Sequence, residues 1–315
     1  MMDLIVHHWD ADGICSAALI ARHLVEEDFF NTSPQIGEYR FDEKILRLIE
    51  NADSIFVADL NAPEEVEKIE KPTLYFDHHI QPRIDRRTVR QINPAINGDR
   101  PASCAAVISR HLGKWSAETV IGTVGDVGKL AFTIPEIRMT MEKLGMSENQ
   151  AVRLAELIDS NHISGSRDGV EQAVKVILEN EWRDLLEHEL WIRKTEEIER
   201  EVERALSGVD SRNEHAFLEF RSSFNIISRV ARALVWEMGF GEALVINRDF
   251  SGKVQIYYRI SKKIASEKNI SGIISDLKKA GVSAGGKDEV VGCVFEPEKF
   301  DQVMELLRSH VRWLD

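Results

Sequence analysis

The sequence predicts an α/β protein: a first domain on a parallel sheet, a helical linker, and a second, smaller α/β domain. Three observations predict it. Short apolar runs alternate with amphipathic stretches over the first half of the chain. No proline interrupts the chain between Pro135 and Pro297, and helical spacing dominates from 140 to 206. Strand-like runs then restart at His215. At 315 residues the chain is too long for one ordinary core and sufficient for two.

The elements follow in order. "LIVHH" (4–8) reads as a strand. Ile14, Ala17, Ala18, Ala21, Leu24 and Val25 fall on one helical face. "SIFVADL" (54–60) reads as a second strand, and Pro63 opens a helix in its first turn. "TLYFDHH" (73–79) is a third strand. Such alternation argues for a parallel sheet covered on both faces. Ser147 and Gln150 make a capping box. Ile198, Val202, Ala205 and Leu206 keep helical spacing at the end of a long charged helix expected over 181–206. "SGVDSRNE" (207–214) reads as a polar linker. Beyond it, "HAFLEF", "EALVIN", "KVQIYYRI" and "DEVVGCVF" read as strands. "NIISRVARALVWEMG", "ISGIISDLKKAG" and 297–309 read as helices. The expected domain limits are 1–190, 191–214 and 215–315.

Lys and Arg number 40 and Asp and Glu 53, a net charge of −13. A protein that coats duplex DNA is usually basic. This chain can meet nucleic acid only through a local basic patch, or else takes something small. Arg83, Arg86, Arg87 and Arg90 form such a local reversal, read either as a phosphate-guiding surface or as a solvated loop. No apolar run is long enough to span a bilayer, and no secretory pattern opens the sequence. Cys15, Cys104 and Cys293 are far apart, so a reducing cytoplasm is expected.

The chemistry gathers at the strand ends. The first strand finishes in His8-Trp9-Asp10-Ala11-Asp12-Gly13, the second in Asp59, the third in Asp77-His78-His79. Asp126 lies in "GTVGDVG", whose glycines suggest a tight turn close to something. In a parallel α/β sheet these carboxyl ends share one crevice. A single Asp there is as readily a helix cap as a ligand. Several carboxylates with two or three histidines would repel and desolvate one another unless cations filled the gap. Two divalent ions, roughly 3.5–4 Å apart, would make the cluster favourable and supply a hydroxide nucleophile. Mixed imidazole and carboxylate ligands suit Mn²⁺, with Mg²⁺, Co²⁺ or Zn²⁺ as alternatives.

"HWDADG", "VADL", "DHH" and "GTVGDVG" resemble, in order and spacing, the four motifs of the DHH phosphoesterase superfamily, closest to its RecJ branch and its archaeal-type members. The resemblance covers residues 4–127. It implies a DHH catalytic domain in which His8, Asp10 and Asp59 hold one metal. Asp12, Asp59, His78 and Asp126 would hold the other. It further implies that His79 touches the substrate phosphate and that Asp77 orients a ligating histidine. Arg100 and Ser103 would line the cleft. His7 has no family role and is expected on the opposite face of its strand.

The later domain resembles the substrate-binding DHH-associated domain, in divergent form. Arg259 sits where those domains carry a phosphate-binding arginine. Gly285 and Gly286 would form an anion nest, with Lys287 in the place of the usual histidine. Lysine supplies charge without imidazole stacking. Tyr257 and Tyr258 must face opposite ways on a strand, so at most one can stack on a base.

The resemblance therefore implies a two-metal phosphodiesterase acting on single-stranded DNA or RNA, an exonuclease releasing nucleoside monophosphates. The alternatives are a short-oligonucleotide ribonuclease, a nucleotide-bisphosphate phosphatase and a cyclic-dinucleotide phosphodiesterase. A replication-associated scaffold, or a catalytic protein docking on a replication or repair partner, is a third class.

Overall fold

The computed structural model describes residues 2–25, 28–212, 214–287 and 289–314. The chain divides into two compact units: Met1–His162 with Ser166–Thr195, and Ile163–Gly165 with Glu196–Asp315.

In the first unit, β1 (Asp3–His7), β2 (Phe29–Thr32), β3 (Ser54–Ala58), β4 (Thr73–Phe76) and β5 (Val89–Ile92) form one sheet. Their order is β2-β1-β3-β4-β5, and every neighbouring pair is parallel. The strand period of two sorts the side chains. Ile5, Phe56, Ala58 and Phe76 enter one core with α1 (Ala11–His23). Leu4, Val6, Ile55, Val57 and Tyr75 enter another, with α2 (Glu43–Asn51) and α3 (Pro63–Val66). Both faces are thus covered, which is why these strands read as continuous apolar runs. Strand order reverses between β1 and β3, which opens a crevice at their carboxyl ends.

Helices α4 (Cys104–Leu112), α5 (Ala117–Val127), α6 (Pro135–Leu144), α7 (Glu148–Ile163), α8 (Arg167–Glu179), α9 (Trp182–Leu185) and α10 (Glu189–Leu206) follow. The Ser147 hydroxyl accepts from Gln150 N at 3.3 Å, and Gln150 Oε1 accepts from Ser147 N at 2.9 Å, which completes the capping box. The helix expected over 181–206 is broken at 186–188. There the His188 imidazole accepts from Trp191 N at 3.4 Å and packs on the Trp191 ring, so a side chain starts a new helix.

The second unit holds β6 (Asp210–Arg212), β7 (His215–Phe220), α11 (Ile227–Arg232), β8 (Glu242–Phe250), β9 (Lys253–Ile260), α12 (Ile270–Lys279), β10 (Ser283–Lys287), β11 (Val290–Phe295) and α13 (Phe300–His310). Its sheet runs β10-β11-β9-β8-β7-β6. The pair β7–β8 is parallel and the others antiparallel. The expected linker 207–214 thus contains an edge strand, because β6 pairs with β7. Tyr257 and Tyr258 do face opposite ways. Tyr258 is core and donates to Glu242 Oε2 at 2.5 Å. The Tyr257 ring lies over Gly292, where a Cβ would come within 2.6 Å of it.

Of the glycines of "GTVGDVG", Gly128 ends α5 at φ +58°, but the other two do not make a turn. Gly122 and Gly125 lie inside α5, on the side that meets α1 and α4. A Cβ at Gly122 would sit 2.9 Å from both the Ala105 Cβ and Asp12 Oδ1; one at Gly125 would sit 2.8 Å from the Ala11 Cβ. They let the helix approach closely rather than bend.

Gly122→Ala is therefore expected to lower stability by a net ~1–2 kcal/mol. Overpacking of about 1–3 kcal/mol outweighs a gain of up to about 1 kcal/mol in helix propensity. Urea denaturation measures this. An unchanged or raised midpoint would show that α5 can move away freely.

Candidate metal centre

The backbone ladder continues past the strands and fixes the residues that follow them. His8 N donates to Ala58 O at 3.1 Å, Asp59 N to Phe76 O at 3.0 Å, and Asp77 N to Ile92 O at 3.2 Å. Asp59 takes a left-handed backbone, φ +60°, which costs a non-glycine residue on the order of 1 kcal/mol. It is 2% exposed. Strain held at a buried carboxylate marks a position that the surrounding structure over-determines.

Two of the carboxylates are helix caps. Asp10 begins α1, with Oδ1 accepting from Gly13 N at 3.0 Å. Asp12 takes the first N–H groups of α4: Cys104 N at 2.6 Å on Oδ2 and Ala105 N at 2.9 Å on Oδ1. The ordinary reading of an Asp near a strand end is thus true of both.

It does not account for the rest. His8, Asp10 and Asp59 bring ligand atoms within 4.8 Å of one another; so do Asp12, His78 and Asp126, and so do Asp59, Asp77, His78 and His79. His78 Nε2 lies 3.3 Å from Asp59 Oδ1 and 3.7 Å from Asp126 Oδ2. His8 Nδ1 lies 2.8 Å from Asp10 Oδ2 and 3.7 Å from Asp59 Oδ2. Asp59 thus faces a histidine on each side.

Burial, then Asp126 and Asp10, pushes the Asp12 carboxyl well above its usual range. Burial, then Asp12, Asp10, Asp77 and Asp126, does the same to Asp59. Burial also opposes charge on Asp10, but His8, the Gly13 N–H and His162 together hold Asp10 low. His8 Nδ1 and Asp59 Oδ1 are buried and make no hydrogen bond; the short approach of His8 to Asp10 lacks hydrogen-bond alignment. Imidazole nitrogens and carboxylate oxygens turned inward, two of them orphaned, are a donor set that fits divalent cations.

Asp77 plays a different part. Fully buried, it accepts from His78 N at 2.7 Å, His79 N at 3.1 Å, His79 Nδ1 at 2.7 Å and the Tyr75 hydroxyl at 2.8 Å. Burial would raise it, but these bonds, His79 foremost, hold it below its ordinary value. In turn, burial would lower His79, but Asp77 raises it. The histidine that Asp77 orients is thus His79. The His78 ring faces Asp59 and Asp126 instead, and burial foremost lowers its pKa. His7 does point away: it is buried, with Nδ1 2.7 Å from His8 O and Nε2 3.2 Å from Asn31 Oδ1.

Other expected residues divide. Arg100 is exposed. Ser103 is fully buried; its hydroxyl caps α4 by accepting from Ala106 N at 3.0 Å and lies 2.8 Å from Thr123 Oγ1, so it cannot touch substrate. In the second unit, Arg259 is 8% exposed, with its guanidinium 4.8 Å from the Trp236 ring centroid and Nε unpartnered. Gly285 and Gly286 are not a loop nest; they lie in edge strand β10, paired with Gly292 and Val291. A Cβ at Gly286 would overlap the Val290 carbonyl, so close strand pairing explains that glycine. Lys287 ends β10, and its side chain lies outside the described residues.

Three residues beside the cluster escape the sequence reading. Asp159 Oδ1 accepts from Ala11 N at 2.7 Å, and His162 Nε2 lies 3.5 Å from the same oxygen, where it helps hold Asp10 low. A polar run, Asp159-Ser160-Asn161-His162, inside a helix was the available signal. Tyr39, whose ring lies against His8 and Trp9, gave none.

Residues 4–125 match the model of the DHH family, N-terminal domain. A comparison with curated proteins found no match. Among solved structures, the DHH domain of a member of the S1p family of ribosomal proteins shares 15% identity at a TM-score of 0.71, over 98% of this chain and 86% of that one. RecJ from Thermus thermophilus, in complex with Mn²⁺, shares 16% at 0.68, over 98% of this chain and 51% of that one. The chain thus spans about half the length of that RecJ. A pGpG-specific phosphodiesterase from Vibrio cholerae shares 14% at 0.55, over all of both chains. At such identities these likenesses speak for the fold. Residues 4–125 thus carry a DHH family N-terminal domain.

Proposed function

We propose that the chain is a divalent-metal-dependent phosphoesterase that hydrolyses single-stranded nucleic acid, a RecJ-like exonuclease releasing nucleoside monophosphates. The observation that carries this reading is the convergence of Asp10, Asp12, Asp59, Asp126, His8 and His78 at one crevice, with buried donor atoms left unsatisfied. His8, Asp10 and Asp59 would hold one ion, and Asp12, Asp59, His78 and Asp126 the other. The side-chain groupings support that division, with Asp59 shared. Two ions, Mn²⁺ first and Mg²⁺, Co²⁺ or Zn²⁺ as alternatives, would neutralise the carboxylates, activate a water and stabilise charge on the phosphoryl group.

The chain's own residues do the rest. Asp77 fixes the His79 ring through Nδ1, which leaves Nε2 free to carry a proton. His79 is partly exposed and favours its charged form, so it can donate to a phosphate oxygen. Arg83, Arg87, Arg90 and Arg100 are exposed near the DHH segment in sequence and offer phosphate guidance. Arg259, with its unpartnered Nε, supports an anion-binding role for the second unit.

A second reading, hydrolysis of oligonucleotides only a few residues long, is favoured by the net charge of −13, which opposes tracking along a polyanion. The end-to-end likeness to the pGpG phosphodiesterase agrees with it.

A substrate-length series with Mn²⁺ separates the two. End-labelled single-stranded DNA and RNA, from dinucleotides to long oligomers, are resolved as product ladders beside a cyclic dinucleotide. Shortening of long strands supports the exonuclease; activity confined to the shortest species supports the second reading; no hydrolysis of any overturns both.

Asp59→Asn is expected to abolish hydrolysis and to change the pH dependence of stability. The folded Asp59 binds a proton more tightly than the unfolded chain, so its contribution is favourable at low pH. That contribution is lost as pH rises from the unfolded carboxylate value, about 4, through the raised folded value. Metal-free protein should therefore melt lower at pH 8 than at pH 5, and divalent ions should reverse the loss. Asp59→Asn should flatten both responses. Full activity in that variant defeats the shared-ligand assignment.

His79→Asn is expected to lower kcat about 10²–10⁴-fold with metal binding unchanged. Asp77→Asn should move the alkaline limb of the rate profile to lower pH, because His79 loses the partner that raises it. An unmoved limb would remove His79 as the proton donor.

A further inference from the structure

We infer that Tyr39 is a stacking platform for the nucleobase next to the scissile phosphate, an inference that rests on the phosphodiesterase reading above. Topology brings it there. β2 runs parallel to β1, with Thr32 opposite Val6, so the chain leaving β2 emerges at the same sheet edge as His8. The exit is pinned. Thr32 Oγ1 donates to Glu171 Oε1 at 2.7 Å and Ser33 N to the same oxygen at 3.4 Å. Lys44 and Arg167 in turn hold Glu171, at 2.7 and 3.3 Å. Thr32 and Ser33 are fully buried. A turn follows, with Glu38 N donating to Gln35 O at 2.8 Å and Gly37 at φ +89°.

Tyr39 is thereby delivered onto the cluster. Its ring centroid is 5.9 Å from that of His8, with the planes 21° apart, and 5.3 Å from that of Trp9. Trp9 is 5% exposed, a firm backing, whereas Tyr39 is 51% exposed. An aromatic ring on a pinned loop, open to solvent beside a candidate metal ligand, presents a flat π surface next to the cluster that would hold a phosphate. Every base has a π face, so such a surface holds a base without reading its identity. A polyphosphate chain has no ring and would gain nothing from it.

The test compares a dinucleotide with the same dinucleotide made abasic at one sugar or the other, using Tyr39, Tyr39→Phe and Tyr39→Leu proteins. Tyr39→Leu is expected to lower kcat/KM on the base-bearing dinucleotide about 10–100-fold and to leave one of the abasic substrates unchanged. Tyr39→Phe should retain wild-type rates, and Mn²⁺ affinity should be equal in all three. Equal losses on all substrates, or a parallel loss of Mn²⁺ affinity, would assign Tyr39 to structural support and overturn the inference. No loss would overturn it as well. If the wild type hydrolyses no phosphodiester, the underlying reading fails and binding decides the platform. Quenching of 2-aminopurine nucleoside monophosphate fluorescence by the wild type but not by Tyr39→Leu supports it; no quenching ends it.

Discussion

Five carboxylates, Asp10, Asp12, Asp59, Asp77 and Asp126, crowd one end of the sheet, and their mutual repulsion is the constraint around which the first unit is arranged. Backbone donors relieve part of it. Asp10 and Asp12 each lie against the amino end of a helix, where N–H groups and the helix dipole favour negative charge. Asp77 is surrounded by donors and is comfortably ionised. Asp59 receives no such help. It is buried, strained in its backbone and left with an unpartnered oxygen between two histidines. The fold can keep such a group only if a cation completes it or a proton neutralises it.

Packing and chemistry are linked through α5. Asp126 reaches the cluster because α5 lies close against α1, and the closeness depends on the missing side chains of Gly122 and Gly125. Asp12 is caught in the same contact, beneath Gly122 and against α4. A fragment that looks like a loop motif in the sequence is therefore a helix-packing device that sets the position of a carboxylate.

Much of this was legible from residue types at strand ends. His8, Asp10, Asp12, Asp59 and His78 could be gathered because a parallel sheet collects its carboxyl ends, whereas Asp126, on α5, joined them only through the motif resemblance. What was not legible depended on partners distant in sequence. The edge strands β2 and β5, "FFNT" and "VRQI", are short and carry no clear alternation, so pairing with a neighbour defines them. The loop bearing Tyr39 follows β2 and carries no stronger signal of its own. Ser103 looked like a cleft residue, although its hydroxyl serves the first turn of α4. The Gly285-Gly286 pair suggested a nest, yet strand pairing alone accounts for it. The long helix was cut at His188 because an imidazole can cap, which propensity does not reveal.

The double duty of Asp12 bears on how such a chain could change over generations. Its carboxylate belongs at once to the cluster and to the first turn of α4. A lineage drifting away from catalysis could shed Asp126 or His78 and keep its architecture. Losing Asp12 would also strip two backbone amides of their acceptor inside the core. Selection for folding alone therefore protects this aspartate. Among descendants that had lost the reaction, it would outlast its neighbours as a fossil of the site.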